Sequence, residues 1–323
     1  MRSREELFRE AQRRVAARRQ RAVTQAQAVS AQAHAAIPEL QRAEDEITRL
    51  GFERAQLAAK GAGREVQQVA RERQQAAREA RAALLRAHGY APESLEPTYI
   101  CAECRDTGVR DGRVCSCVLK LSRRLRREEI NAASALSISS FDTMDTSLYP
   151  DRFDPDYGTT VRAYMTETLE ALQEYAEHFD MRSSNLLITG NAGLGKTHAA
   201  LAIAGIVLDR GYDVIYVSAQ DLFAHLEKNR FEDDDTMMEA VLGADLLILD
   251  DLGTEYATSY MLSCFYTIVN TRLSGKRPTI YTSNIVDGTM FEKRYTEKIA
   301  SRLGGSCEPI AFLGEDIRHI KNS

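Results

Sequence analysis

The chain has 323 residues, 44% of them hydrophobic, and a formal net charge of −5. The length suits one large domain with smaller attachments, and the hydrophobic content is ordinary for a soluble protein. No segment approaches the roughly 18 uncharged apolar residues of a membrane span, and the N-terminal sequence MRSREELFREAQRR lacks the apolar core of a signal peptide, so we expect a cytoplasmic protein that makes no membrane contact.

Charge is distributed unevenly along the chain. Residues 1–88 carry 18 Lys and Arg against 11 Asp and Glu, a net charge of +7, which leaves −12 for the rest. The overall balance does not indicate nucleic-acid binding, so any surface that binds nucleic acid has to be local.

Residues 1–88 consist mostly of Ala, Arg, Gln and Glu, which are strong helix formers. Pro38 and the glycines at 61 and 63 interrupt the pattern. We predict three helices between these interruptions, at about 4–36, 38–58 and 64–87. Small apolar residues recur every three to four positions, which favours a helical hairpin or coiled coil. Such a hairpin buries little surface, so it is either a solvated charged helix or, as we favour, a docking arm for another protein.

The arm also has an arginine-rich face, formed by Arg13, Arg14, Arg18, Arg19 and Arg21. This face is a weaker candidate for binding a phosphate backbone, because glutamates are interleaved and aromatic residues are few.

Four of the six cysteines lie close together in the sequence. They form two pairs on either side of Asp111-Gly112, a dipeptide typical of a tight hairpin turn. The four residues are Cys101, Cys104, Cys115 and Cys117. Four thiolates brought together by the turn suit a structural Zn²⁺ ion, whose binding would stabilise a module too small to have its own core. The second pair is CxC rather than CxxC, and a redox pair or unligated thiols are the alternatives.

We divide the chain into four segments. After the arm, residues 89–130 contain the zinc module and a basic helix whose start, at 120–127, is either solvated or in contact with DNA. Residues 131–158 are a linker rich in Ser, Asp, Thr and Pro, whose isolated aromatic residues are expected to pack on the surface of the next domain. Residues 159–323 alternate helix and strand patterns, which predicts an α/β domain with a parallel sheet flanked by helices. We place five strands in it, at 185–189, 213–218, 245–250, 278–283 and 309–313.

The phosphate-binding motif GxxxxGK[ST] follows the first of these strands without a mismatch. Its residues are Gly190, Asn191, Ala192, Gly193, Leu194, Gly195, Lys196 and Thr197. The glycines let consecutive N–H groups point inward, and the next helix adds its positive N-terminal dipole, so the loop suits the phosphates of ATP. We expect Lys196 to reach the β- and γ-phosphates and Thr197 to bind Mg²⁺. A simple strand-to-helix connection is the alternative.

A second nucleotide motif lies where the strand at 245–250 ends in two carboxylates. Parallel sheets of this class bind ligands at the C-terminal ends of their strands. We expect Asp250 to hold Mg²⁺ through water, and Asp251 to orient or deprotonate the water that attacks the γ-phosphate. Glu255 is a secondary candidate for the same water.

Three further polar residues are candidates for this site. Asn284 follows a strand predicted to lie between the two motifs, where its amide would contact the γ-phosphate or position the water, although such a residue is usually a helix cap. Arg302 and Arg318 are candidates for stabilising charge on the transferred phosphoryl group, but composition does not distinguish them from surface arginines.

The order of these motifs resembles that of the AAA+ ATPases of the bacterial helicase loader group, DnaC and DnaI, together with the transposition helper IstB. The motifs that carry the resemblance are the phosphate loop, Asp-Asp-Leu-Gly, Thr-Ser-Asn, Ser-Arg-Leu and a terminal Asp-x-Arg. The segment Cys-Ala-Glu-Cys-Arg-Asp-Thr-Gly that begins at Cys101 resembles a cysteine motif of DnaC-like proteins from Gram-positive bacteria and their phages. Ile37-Pro-Glu-Leu followed by Asp45-Glu-Ile resembles their helical arm.

The resemblance implies an ATPase that loads the hexameric replicative helicase onto single-stranded DNA. It implies that the arm binds the helicase and that the ATPase domains assemble on DNA as a homo-oligomer with ATP between protomers. Arg302 would then be an arginine finger that reaches a neighbouring subunit's ATP, and Arg318 would be sensor 2 in its own subunit. Most AAA+ proteins carry Glu at the position of Asp251, so slow hydrolysis, suited to a switch, is expected.

Two other functions are compatible with these motifs. One is an IstB-like helper of transposition, which selects target DNA for a transposase. The other is an adaptor that binds ATP with little turnover. The helical arm and the cysteine module favour the loader, because the transposition helper usually has a simpler N-terminus.

Overall fold

The structure is a computed structural model that describes residues 1–134, 136–231 and 236–317. The chain divides into two compact units. We call Gln12–Val118 the arm unit, and Met1–Ala11 together with Leu119–Ser323 the sheet unit. None of the helices in these described parts of the chain is long and apolar enough to cross a membrane.

The three helices predicted for the arm are confirmed, with bounds that agree to within two residues. They are α1 (Arg4–Ala36), α2 (Leu40–Ala59) and α3 (Arg64–Ala87). Helix α1 ends before Pro38, because the residue that precedes a proline disfavours the helical conformation. Ala33, Ile37, Leu40 and Leu85 form a buried cluster where the three helices meet. Glu44 of α2 accepts hydrogen bonds from Arg81 of α3 and His34 of α1, which adds a polar connection between the helices.

The cysteine segment folds as the predicted hairpin. Strands β1 (Val109–Arg110) and β2 (Arg113–Val114) pair in antiparallel fashion. Asp111 and Gly112 have φ of 50° and 74°, the left-handed conformation that a two-residue type I′ turn needs at both positions. Helix α4 (Ser116–Ala133) begins immediately after this hairpin.

The sheet unit contains a small hairpin followed by alternating strands and helices. Their bounds are β3 (Phe153–Asp154), β4 (Thr159–Thr160), α5 (Val161–Glu177), β5 (Asn185–Thr189), α6 (Lys196–Asp209), β6 (Val214–Ser218), α7 (Ala219–Lys228), α8 (Thr236–Gly243), β7 (Leu246–Leu252), α9 (Ser259–Ser274), β8 (Thr279–Ser283), α10 (Gly288–Tyr295), α11 (Glu297–Ser306) and β9 (Cys307–Ala311).

In the described chain, five of these strands form one parallel sheet in the order β6-β7-β8-β5-β9. Successive side chains of a strand point to opposite faces, so each strand supplies both sides of the sheet. One face is buried with α5 and α6, and the other with α7 to α11. The predicted parallel sheet with flanking helices is therefore confirmed, and the strand of the phosphate loop is separated from that of the second motif by β8 alone.

The segment predicted as a linker packs into the sheet unit. Phe141 and Tyr149 are buried in the core that contains α6, rather than resting on its surface. Tyr157 is 43% exposed and packs against Tyr164 of α5, as predicted. The Tyr149 hydroxyl donates a 2.8 Å hydrogen bond to the carbonyl of Leu194 in the phosphate loop. Residues of this segment therefore support the loop directly.

Candidate nucleotide-binding site

The phosphate loop connects β5 to α6 and is packed against the C-terminal segment of the chain. Gly190 and Gly193 have φ of 153° and 79°. A Cβ atom at Gly190 would overlap the carbonyl oxygen of Phe312, and one at Gly193 would overlap the carboxylate of Asp316. Glycine is required at Gly190 because the backbone of Phe312 lies so close, and it is favoured at Gly193 because the backbone there is left-handed.

Lys196 is the first residue of α6, and only 6% of it is exposed. Its ammonium group donates hydrogen bonds to the carbonyls of Gly190 and Asn191 and to Oδ1 of Asn284, each at 2.7 Å. The lysine is thus held inside the concave side of the loop, where phosphate oxygens would replace these acceptors.

Asp250 of β7 is buried and accepts hydrogen bonds from three hydroxyl groups. Thr197 lies 3.0 Å from Oδ2 and 3.2 Å from Oδ1. Tyr216 donates to Oδ2 at 2.7 Å, and Thr282 donates to Oδ1 at 2.6 Å. The structure therefore brings together the two residues proposed to bind Mg²⁺, Thr197 and Asp250.

A β-bulge places the second acid, Asp251, beside the first. Leu249 pairs with Tyr281 and Leu252 pairs with Ser283, so two residues of β7 lie opposite Thr282 of β8. In a regular strand, neighbouring side chains would point to opposite faces. Asp251 instead has a left-handed φ of 59°, and its N–H donates to the Thr282 hydroxyl at 2.8 Å. Bulges commonly redirect side chains next to active sites, and this one lets consecutive acids reach the same edge.

Asn284 connects the two motifs. Its Oδ1 accepts from Lys196, and its Nδ2 donates to Oδ1 of Asp251 at 2.8 Å. The orientation of the amide follows from these partners, because a lysine ammonium is only a donor and a carboxylate is only an acceptor. Burial and the nearby Asp250 carboxylate raise the pKa of Asp251, while Lys196 and Asn284 act in the opposite direction. Asp251 is thus more basic than an ordinary aspartate, as suits a group that takes a proton from water.

The structure gives Glu255 a different role from the one considered for it. Its side chain is buried, Tyr295 donates to Oε1 at 2.5 Å, and the N–H of Gly253 donates to Oε2 at 3.0 Å. Arg294 forms an ion pair with the same carboxylate. Both oxygens of Glu255 therefore have protein partners, and the residue secures the loop after Asp251.

Of the two candidate arginines, the structure describes Arg302 but not Arg318. Arg302 lies on α11, where its guanidinium donates to the Tyr266 hydroxyl at 3.0 Å and covers the Tyr266 ring at 5.1 Å. Among its hydrogen bonds within the described residues, none reaches the phosphate loop. Arg318 lies outside the described residues.

Sequence reasoning missed Tyr216 and did not assign Thr282 a role. Tyr216 pairs with Ile248 in the β6–β7 register. Ile248 is two residues before Asp250, so Tyr216 lies on the same face of the sheet as Asp250. Strand pairing, rather than a motif, is the signal that identifies it.

The four cysteine sulfurs of the arm unit form a compact cluster. All lie within 4.8 Å of one another, with Cys101 3.8 Å from Cys115 and Cys104 3.5 Å from Cys117. Sulfurs bound to one tetrahedral Zn²⁺ are separated by about 3.8 Å, because each Zn–S bond is about 2.3 Å. The donor set and its spacing fit zinc.

Neighbouring residues also hold this cluster in place. Burial disfavours a Cys104 thiolate, but the N–H of Gly108 and hydrogen bonds from the other three thiols lower the pKa of Cys104 to about 6, whereas burial and the same thiol hydrogen bonds raise the pKa of Cys117. Asp106, which is almost fully buried, accepts the N–H groups of Ile100 and Cys101 at 2.8 and 3.0 Å. Arg18 of α1 forms an ion pair with Asp106 at 2.7 Å. The backbone around Cys101 is thereby fixed to α1.

Comparison with protein-family models identifies the family of the region that carries this site. The model for the IstB-like ATP binding protein family matches residues 124–323, which include both nucleotide motifs and the whole sheet. The chain belongs to this family. Its fold is that of an AAA+ P-loop ATPase, and the resemblance to the DnaC, DnaI and IstB group is confirmed.

Two named relatives and one solved structure are similar to parts of this chain. The replicative helicase loader DnaC of Escherichia coli (strain K12) is 31% identical over 145 residues, which are 43% of this chain and 58% of DnaC. The phage-like element PBSX protein XkdC of Bacillus subtilis (strain 168) is 28% identical over 234 residues, which are 67% of this chain and 82% of XkdC. A crystal structure of the DnaC helicase loader has 21% identity and a TM-score of 0.45, and covers 54% of this chain and 98% of that one.

The match to the IstB-like family covers only part of this chain. The family description specifies ATP as the ligand, which agrees with the phosphate loop. The matched region begins within α4, so the arm helices and the cysteine cluster lie outside it. This chain spans 58% of the length of DnaC.

Proposed function

We propose that this protein is an ATP-dependent loader of the hexameric replicative helicase onto single-stranded DNA. The observation that carries the ATPase part is the continuous hydrogen-bonded path from Lys196 through Asn284 to Asp251, beside the Thr197–Asp250 pair. These are the groups needed to hold a triphosphate and activate water. The name of the DnaC relatives supports the loader part.

Each residue has a defined task in the proposed hydrolysis. Lys196 and the N–H groups of the loop bind the β- and γ-phosphates. Thr197 and Asp250 would hold Mg²⁺, which supplies positive charge that offsets the charge of the phosphates. Asn284 positions the attacking water, and Asp251 accepts its proton. Arg302 completes the site of a neighbouring protomer in a homo-oligomer that forms on ATP binding, and Arg318 acts as sensor 2 in its own.

Single-stranded DNA has a candidate platform in the sheet unit. Phe231 is 92% exposed, and the Arg230 guanidinium lies 5.4 Å from its ring centre and 4.7 Å from that of Tyr260. An exposed aromatic ring can stack on a base of single-stranded DNA, and an arginine beside it can contact the phosphate backbone of the DNA. We therefore assign the DNA contact to this group.

The arm helices have the exposed apolar residues that a docking arm needs. Val66 and Val69 of α3 are about half exposed and lie three positions apart, and Phe52 of α2 is 67% exposed. Residues three apart share a helix face, so Val66 and Val69 form one apolar patch. We propose that this patch binds the helicase, in the cytoplasm.

Helicase binding is tested with the full-length chain. Native mass measurement after mixing with the cognate hexameric helicase should show a defined complex, and Val66→Glu with Val69→Glu should weaken it by at least tenfold. Gln68→Glu, at an exposed position between them, is the control for charge and should bind normally. A complex that tolerates the double substitution contradicts the assigned patch. Absence of any complex favours the IstB-like transposition helper, for which the family match is the supporting observation.

ATP hydrolysis is tested by Asp251→Asn. The amide does not accept a proton, so the hydrolysis rate should fall by about 10²-fold or more while ATP affinity is retained. Steady-state phosphate release and binding of a fluorescent ATP analogue measure the two quantities. A rate that is unchanged by the substitution favours an ATP-binding adaptor.

A further inference from the structure

Tyr216 reaches the nucleotide site from a strand that supplies neither nucleotide motif. It lies in β6, which forms one edge of the sheet and pairs with β7. The register places Tyr216 opposite Ile248, so its ring lies on the face that carries Asp250. The side chain is 3% exposed, and its hydroxyl is 2.7 Å from Oδ2 of Asp250.

Asp250 is held from both neighbouring strands. Tyr216 of β6 donates to one carboxylate oxygen, and Thr282 of β8 donates to the other at 2.6 Å. Thr197 approaches both oxygens from α6. Because the two strand hydroxyls fix both oxygens, the carboxylate plane cannot rotate without breaking a hydrogen bond. A buried carboxylate that loses one of these donors is less well stabilised and less firmly oriented.

We propose that Tyr216 is a positioning residue for the Mg²⁺ site. Together with Thr282, it fixes the Asp250 carboxylate in the orientation that faces Thr197. The inference rests on the proposed nucleotide function, in which Thr197 and Asp250 bind the ion. Residues that orient metal-binding groups in this way typically change metal affinity 10- to 100-fold when they are substituted.

The ring and the hydroxyl of Tyr216 have separable roles. The ring is part of the core that contains α6, so its removal would disturb packing. Tyr216→Phe keeps the ring and removes only the hydroxyl. Tyr281→Phe is a matched control, because Tyr281 is an equally buried tyrosine of β8 that belongs to the core on the opposite face.

The experiment measures binding of a fluorescent ATP analogue to the full-length protein in EDTA and across a Mg²⁺ titration. For Tyr216→Phe, we expect unchanged affinity in EDTA and a Mg²⁺ midpoint raised about tenfold. Thr282→Val removes the other hydroxyl and should raise the midpoint similarly, while Tyr281→Phe should not. In an Asp250→Asn background, Tyr216→Phe should have no further effect, because the coupled partner is already changed.

The outcomes separate this inference from the proposed function. An unchanged Mg²⁺ midpoint in Tyr216→Phe overturns the inference alone. Equal weakening in EDTA and in Mg²⁺ also overturns it, because it indicates a general packing role. Wild-type protein that binds the analogue without any Mg²⁺ dependence contradicts both the inference and the proposed Mg²⁺ site.

Discussion

Asn284 connects the lysine of the phosphate loop to Asp251, the residue that we propose activates water. Its Oδ1 accepts from Lys196, and its Nδ2 donates to Asp251. Phosphate oxygens that attract the lysine would release Oδ1 of Asn284, and the amide would then be free to reorient. Under the proposed function, the hydrogen bond that Asp251 receives would therefore depend on whether ATP occupies the loop.

The pH dependence of hydrolysis tests this arrangement. Burial and Asp250 raise the pKa of Asp251, so hydrolysis should decline as the pH falls through a value above that of an ordinary aspartate. Asn284 hydrogen-bonds to the ionised form and lowers the pKa, so Asn284→Ala should move the acidic limb of the kcat/KM profile to higher pH. A limb that moves to lower pH, or not at all, contradicts the assigned role. Thr254→Ala is the control, since the Thr254 hydroxyl donates to the main-chain carbonyl of Asp251 and not to its carboxylate.

At the scale of elements, the sequence predicted the strands better than their contacts. The five strands and the phosphate loop were recognisable because apolar runs and glycine spacing are local signals. The bulge at Asp250 and Asp251 was not, because it depends on the register between β7 and β8. The contact of Tyr216 with Asp250 was not predictable either, because it depends on the pairing of β6 with β7. Tyr149 was not recognised as a buried residue, because its neighbours in the sequence are mostly polar.

The cysteine hairpin is the element whose stability should depend on metal. It contains two-residue strands and little buried apolar surface, so zinc binding would supply much of its folding free energy. Metal analysis should find about one Zn²⁺ per chain, as four thiolates bind one ion. Cys101→Ser should lose the metal and lower the melting temperature, whereas Cys264→Ser, in the sheet unit, should retain it. Folded wild-type protein that lacks metal contradicts the assignment.

At the scale of the whole molecule, the proposed function places the active site between two protomers. Lys196, Asp250, Asp251 and Asn284 converge at one edge of the sheet. Arg302 instead contacts Tyr266 of its own α9, on an exposed part of α11. An exposed arginine of this kind is available to a second copy of the chain, which is why we place the shared site between protomers.

Mixing two inactive variants tests whether Arg302 acts in a neighbouring protomer. Arg302→Ala should lose hydrolysis by about 10³-fold while ATP affinity is retained, because an arginine finger stabilises charge only in the transition state. Lys196→Ala should lose phosphate binding but still present Arg302. Mixed assemblies would contain interfaces that pair an intact loop with an intact arginine, so phosphate release should partly recover. Lys298→Ala, an exposed neighbour on α11, should keep full activity, and a mixture that stays inactive despite assembling would show that Arg302 does not complete a partner's site.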